Sequence, residues 1–161
     1  MYRTRFIAVY AALALVVAAG AYGGFRGAQL RGPVHSGVAD RCEAPKVGGD
    51  PVMTAVVFIH TAVERTNPRA GFALTTPAFR GSTTCADWAR GKVPVKEYRQ
   101  VDWSRSQYVV QTRVPDQVVL EVLLASSERP GEQPALFLLE LRRLGAEWRV
   151  GYWGSPSDLE L

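Results

Sequence analysis

Between Arg5 and Arg26 the chain carries no charge: from Ile7 to Phe25 every residue is apolar or small apart from two tyrosines. At the helical rise such a run spans about 28 Å, close to the roughly 30 Å hydrocarbon core of a bilayer. This predicts residues 1–26 as a membrane anchor, with the lipid bilayer contacted through residues 7–25. The alternative is a cleaved secretory signal, with Arg3 and Arg5 as its basic start and Ala19-Gly20-Ala21 as an A-x-A-like cleavage site; the domain is then secreted. Arg26, Arg31 and Arg41 follow the run, so the balance of basic residues does not place the N-terminus inside. The short N-terminal tail and the cysteine pair point instead to a single-pass protein of the cell membrane, its C-terminal domain outside the cytoplasm.

Those cysteines, Cys42 and Cys85, fit neither a metal site, which needs more ligands at close spacing, nor a redox C-x-x-C motif. Outside the cytoplasm the expectation is one structural disulfide, and two unrelated buried thiols are the alternative. A bridge would close a loop of about 43 residues, worth on the order of 4 kcal/mol in the chain-entropy model. Arginine far outnumbers lysine and Asn67 is the only asparagine, a bias typical of a high-GC bacterial genome. The net charge of +4 comes from scattered arginines, with Arg142-Arg143 the only adjacent pair. No basic stripe alternates with exposed aromatics, which argues against nucleic acid as a partner.

Residues 27–49 are rich in Gly, Pro and polar residues without hydrophobic period and read as a linker. Residues 50–155 then form one domain, with 156–161 as a tail. Asp50-Pro51 is a helix start, and Val52, Ala55, Val56, Ile59, Ala62 and Val63 fall on one face, with Thr54, Thr61 and Arg65 opposite. Asn67-Pro68 and Thr76-Pro77 repeat the cap-plus-proline signal, and Thr84 with Asp87 resembles a capping pair for a helix through Trp88 that Gly91 closes. After Gly91 the period changes. Val93, Val95 and Glu97 to Arg99 read as an extended segment; Gln107 to Val114 and Val118 to Ser126 are strands joined at Pro115-Asp116. Leu136 to Leu144 and Trp148 to Trp153 form a last pair joined at Gly145. Helices first and antiparallel strands afterwards predict an α+β fold, helices packed on a curved sheet.

The long first helix, the "TPAFRG" restart, the "DWARGKVPV" segment and the closing "LRRLGAEWRVGYW" hairpin together resemble the nuclear-transport-factor-2-like superfamily, the SnoaL-like or cystatin-like cone folds, over Asp50 to Trp153. The resemblance implies a cone-shaped domain like those of small membrane-anchored bacterial members. The superfamily holds isomerases, cyclases and dehydratases beside many non-enzymatic domains, so the fold by itself assigns no chemistry.

An isomerase of this kind needs a carboxylate base inside the cone and donors for an enolate. Strand parity sends Val118, Leu120, Val122, Leu124, Phe137, Leu139, Leu141, Trp148, Val150 and Tyr152 inward, with no acid or histidine among them. No residues are assigned as catalytic, and no cofactor or metal motif is present. His60, with Glu64 one turn on, is the remaining basic candidate; with Tyr108, Trp148 and Tyr152 it makes up the pocket of the alternative reading, a small hydrophobic ligand binder or isomerase-like enzyme. Phe58, Phe72, Trp148 and Tyr152 packing the cone solid would exclude that reading. The outward set, Val119, Leu123, Ala125, Leu136, Leu138 and Trp153, places apolar groups on the far side of the sheet, punctuated by Glu121, Glu140, Arg142 and Arg149. Leu123, Leu136, Leu138 and Trp153 there predict an interaction face for a protein partner or a homodimer. The expectation is a non-catalytic, membrane-tethered interaction domain, an accessory of an envelope or secretion complex.

Overall fold

The computed structural model describes residues 42–159 and the pair Thr4–Arg5. The apolar run 7–25 and most of the linker lie outside the described residues. Among those described, no helix is long and apolar enough to cross a membrane.

The molecule is α+β, with the helices first. Helix α1 (Pro51–Phe58) starts where the Asp50 carboxylate accepts the Val52 N–H at 3.0 Å and Pro51 takes the first helical position, where its missing donor costs nothing. It continues as a π-helical turn, Ile59–Val63, closed by Glu64 N–H to Ile59 O at 2.9 Å. Helices α2 (Pro68–Ala73) and α3 (Pro77–Arg80) begin with the same device at Asn67 and Thr76. Helix α4 (Cys85–Ala89) has a full capping box between Thr84 and Asp87, and the chain leaves it through Gly91 at φ +86°.

The first helix differs from the amphipathic expectation. Thr54 and Thr61, expected on its solvent side, are buried. Each hydroxyl donates to the carbonyl four residues back, Asp50 O at 3.1 Å and Val57 O at 2.7 Å, so neither needs water. The helix therefore buries most of its circumference, leaving Val52, Met53 and His60 half-buried. Gly71 makes the close approach possible: a methyl there would sit 2.6 Å from Ala62 Cβ.

Four strands follow as an antiparallel meander: β2 (Gln107–Val114), β3 (Gln117–Leu124), β4 (Ala135–Leu144) and β5 (Glu147–Gly154), while Thr4–Arg5 (β1) pairs with Tyr108 and Gln107 along the edge of β2. Gly145, at φ +64°, opens the two-residue turn between β4 and β5. The free edge of β5 is covered by the segment between α2 and α3: Val150 N–H donates to Leu74 O at 2.8 Å, and Thr76 N–H to Val150 O at 2.9 Å. The core lies between helices and sheet, where Phe58, Ile59, Val63, Leu120, Leu139 and Val150 are fully enclosed. Cys42 and Cys85 form the expected disulfide, which fastens the end of the linker to α4.

Three strand-level expectations are corrected. Residues 93–99 form no strand: Pro94 has no N–H for a ladder, Arg65 donates to Val95 O at 2.6 Å, and Tyr98 N–H donates to Val63 O at 3.1 Å. Strand β3 ends at Leu124, not Ser126, and Ala125 is buried, not outward. Its backbone is claimed by the neighbouring loop, receiving from Asp102 N–H at 2.8 Å and donating to Ser106 Oγ at 3.1 Å. The third correction concerns β5. Leu141 pairs with Val150 but Glu140 pairs with Tyr152, leaving Gly151 as a bulge. One extra residue reverses every side chain beyond it. Tyr152 thus joins Glu140 on the outer side, and Trp153, expected outside, turns inward and is buried.

Candidate functional site

The hollow between helices and sheet is filled by aromatic packing up to Phe137 and Trp153, beyond which it opens. Phe58 meets Phe79 edge-on at 5.9 Å and Trp153 at 6.1 Å, and Phe72 stands edge-on to Trp88 at 5.5 Å. The buried polar residues among those described are threonines and serines; no ionisable side chain is enclosed. Aromatic packing here depends on the bulge, because only the reversed parity brings Trp153 over Phe137, stacked at 4.6 Å.

The four pocket residues read from the sequence do not converge. His60 sits half-buried on the π-helical turn, its Nδ1 2.9 Å from Glu64 Oε2. Glu64 Oε1 accepts the Val101 N–H at 3.1 Å, so the carboxylate ties the helix to the 101–106 loop as well as orienting the imidazole. Trp148 is buried and donates its indole N–H to Gly49 O at 3.1 Å, holding the linker end against β5. Tyr108 packs against the core from β2. Tyr152 lies on the other side of the sheet, its hydroxyl buried without a hydrogen-bond partner among the described residues. That hydroxyl crowds Gly154, where a methyl would come within 2.5 Å of it. Burial, and then the nearby Asp158 carboxylate, push its pKa up. No group of three or more potential metal ligands occurs among the described residues.

The large concavity is the open end of this hollow, at the end of the sheet away from the hairpin turns. A cleft of about 1160 Å³ opens between residues 94–99, the 126–133 loop, the start of β4 and the end of β5. Tyr98, Phe137 and Trp153 give it an aromatic floor; Tyr98 stands edge-on to Phe137 at 5.9 Å and donates its hydroxyl to Leu124 O at 2.9 Å. Rim charges are paired with one another, Arg99 with Glu97 at 2.6 Å and Arg129 with Glu132 at 2.7 Å. Arg105 clamps the frame, reaching Asp102 Oδ2, Pro130 O and Ser126 O, each at 2.6 Å. Hydrogen bonds from Ser104 and Arg105 hold the Asp102 carboxyl at about 2. Sequence reasoning passed over Tyr98 and misplaced Trp153. A signal for the latter existed, since a glycine inside a strand pattern marks a bulge.

On the outer sheet face Leu123 and Leu138 are half-buried and Leu136, opposite Leu123 on β4, is exposed. Gln117 and Arg142 both bind Glu140 there, at 3.0 and 2.5 Å. Leu136 also lines the rim of the cleft; Trp153 does not belong to the outer face. Comparison of the chain with models of known families, with curated proteins and with solved structures found no match.

Proposed function

We propose that the chain is a membrane-tethered, extracytoplasmic domain of the nuclear-transport-factor-2-like kind that works by binding protein rather than by catalysis. The observation that carries this reading is the contrast between the two sides of the sheet. The inner side is packed with apolar and aromatic groups as far as the cleft floored by Tyr98, Phe137 and Trp153, while among the described residues the outer side carries half-buried Leu123 and Leu138 and exposed Leu136. Apolar groups set among charges on such a face suit a protein contact. The order of helices followed by an antiparallel meander supports the family reading, and the disulfide supports a location outside the cytoplasm. The pairing of Thr4–Arg5 with β2 keeps the N-terminus on the domain's side. Insertion of residues 7–25 with the N-terminus inside therefore requires these residues to leave that edge.

The test is mild crosslinking in native membranes, followed by the mass of the isolated assembly. A second copy or another envelope protein should be recovered with the wild-type chain and lost with Leu136→Glu and Leu138→Gln, while the melting temperature stays within a few degrees. Recovery of the chain alone with a bound metabolite would overturn the reading in favour of a ligand-binding domain.

A further inference from the structure

Antiparallel register puts both hairpin turns at one end of the sheet: Val114 pairs with Gln117, Gln117 with Arg142, and Leu144 with Glu147. The turns are joined, since Arg143 N–H donates to Asp116 O at 2.8 Å. Each ends its first strand with the same pattern, an exposed arginine and then an exposed aliphatic residue, Arg113-Val114 and Arg143-Leu144. At 43% and 48%, Val114 and Leu144 are the most exposed large hydrophobics among the described residues. Two strand spacings separate β2 from β4, roughly 10 Å. The core does not need these side chains, and water disfavours them.

At the two turns themselves the unpaired arginines, Arg113 and Arg143, outnumber the one acid there without an ion pair among the described residues, Asp116. Arg142 is taken by Glu140 and Arg149 by Glu147, whereas no ion pair among the described residues involves Arg113, Arg143 or Lys46. Away from the turns Lys46 is set against Glu43 and against Asp50, which keeps its charge while capping α1. The chain also enters the domain here: Cys42 lines a cleft of about 350 Å³ with Leu144, Glu147 and Arg149. Because of the disulfide, the root of the linker cannot move away from this end.

We propose that this end of the sheet docks on anionic phospholipid headgroups, with Val114 and Leu144 entering the interface and Arg113 and Arg143 pairing with phosphates. The inference rests on the membrane tether proposed above. The sequence reads residues 27–49 as a linker, and the about 16 residues of such composition between Phe25 and Cys42 correspond to a root-mean-square reach of roughly 22 Å, which keeps the hairpin tips within contact distance of the bilayer. At the effective concentration such a tether imposes, contacts too weak to recruit a free protein suffice to orient a bound one. An arginine flanking each aliphatic tip suits the interface, where guanidinium groups bind phosphate oxygens in fork geometry and apolar side chains leave water. Docking by this end turns the aromatic-floored cleft away from the membrane and requires Thr4–Arg5, paired with Tyr108 and Gln107 at the cleft end of β2, to leave that edge.

The experiment is backbone hydrogen exchange on the full chain in lipid nanodiscs of phosphatidylcholine alone, and in discs containing about one third phosphatidylglycerol. Exchange at residues 113–117 and 143–147 should slow several-fold in the anionic discs, with residues 94–99 and 126–133 unchanged. The double variant Arg113→Gln, Arg143→Gln should return both turns to their rate in neutral discs without lowering the melting temperature. Equal exchange in the two disc types, or protection confined to the opposite end, overturns the docking while leaving the tether intact. A chain that does not stay with the discs at all overturns the tether, and the docking with it.

Discussion

Replacing Trp153 by alanine tests the bulge at Gly151 and everything that follows from it. The indole is only 7% exposed, stacks on Phe137 at 4.6 Å and meets Phe58 at 6.1 Å. A tryptophan buries roughly 200 Å², which at about 25 cal/mol per Å² corresponds to some 5 kcal/mol. Alanine keeps part of that contact and the cavity relaxes in part, so the expected loss is about 3–5 kcal/mol. For a domain of this size that is roughly 10–20 °C in melting temperature. Tyr152→Phe is the control. It deletes a buried hydroxyl that has no partner among the described residues, so stability should stay level or rise by up to about 1 kcal/mol. Urea unfolding of the full chain in mild detergent, followed by far-ultraviolet circular dichroism, measures both. If Trp153→Ala cost under about 1 kcal/mol while Tyr152→Ala cost several, β5 would run without a bulge and the parity argued above would be wrong.

Other expectations follow from the same coordinates. Gly71→Ala should destabilise by about 1–3 kcal/mol, because its methyl would stand 2.6 Å from Ala62 Cβ; Ala62→Gly in the same chain should recover part of the loss in a double-mutant cycle. Reducing the Cys42–Cys85 bridge, or replacing both cysteines by serine, should lower stability by about 2–4 kcal/mol, read as a fall in melting temperature with reductant. Asp87 has its pKa depressed to about 2 by hydrogen bonds from Thr84 first and Arg90 second. Its folded value lies below its unfolded one, so its contribution is present above about pH 4 and disappears as pH falls towards 2. Carboxyl chemical shifts should show this low titration in the wild-type chain and a return towards the ordinary value in Thr84→Ala.

Much of the architecture is local and could be read from neighbours in the chain. Asp50, Asn67, Thr76 and Thr84 each begin a helix because a side-chain oxygen meets backbone donors two or three residues ahead, a geometry that needs no tertiary partner. The alternation of β3 is equally plain: Val118, Leu120, Val122 and Leu124 are buried as their spacing demands. The disulfide was legible from compartment and cysteine count. What failed in the reading depended on partners distant in sequence. Residues 93–99 look extended, yet whether they join a sheet depends on whether a strand lies beside them. Instead Arg65 and Val63 claim their backbone, and the segment becomes one wall of the cleft.

The sequence by itself determined where the helices start, which residue types are available for the core, and that two cysteines could bridge. These follow from short-range sterics, capping and hydrophobic period. Only the tertiary structure decided which aromatic ring of the Tyr152–Trp153 pair enters the core, that Thr54 and Thr61 are buried with the apolar face of the first helix, and which end of the sheet holds the root of the linker. A single unpaired residue at Gly151 reverses the faces beyond it. Whether that residue bulges is settled by the fit of Trp153 against Phe137 and Phe58 across the core, an interaction between groups that are far apart along the chain.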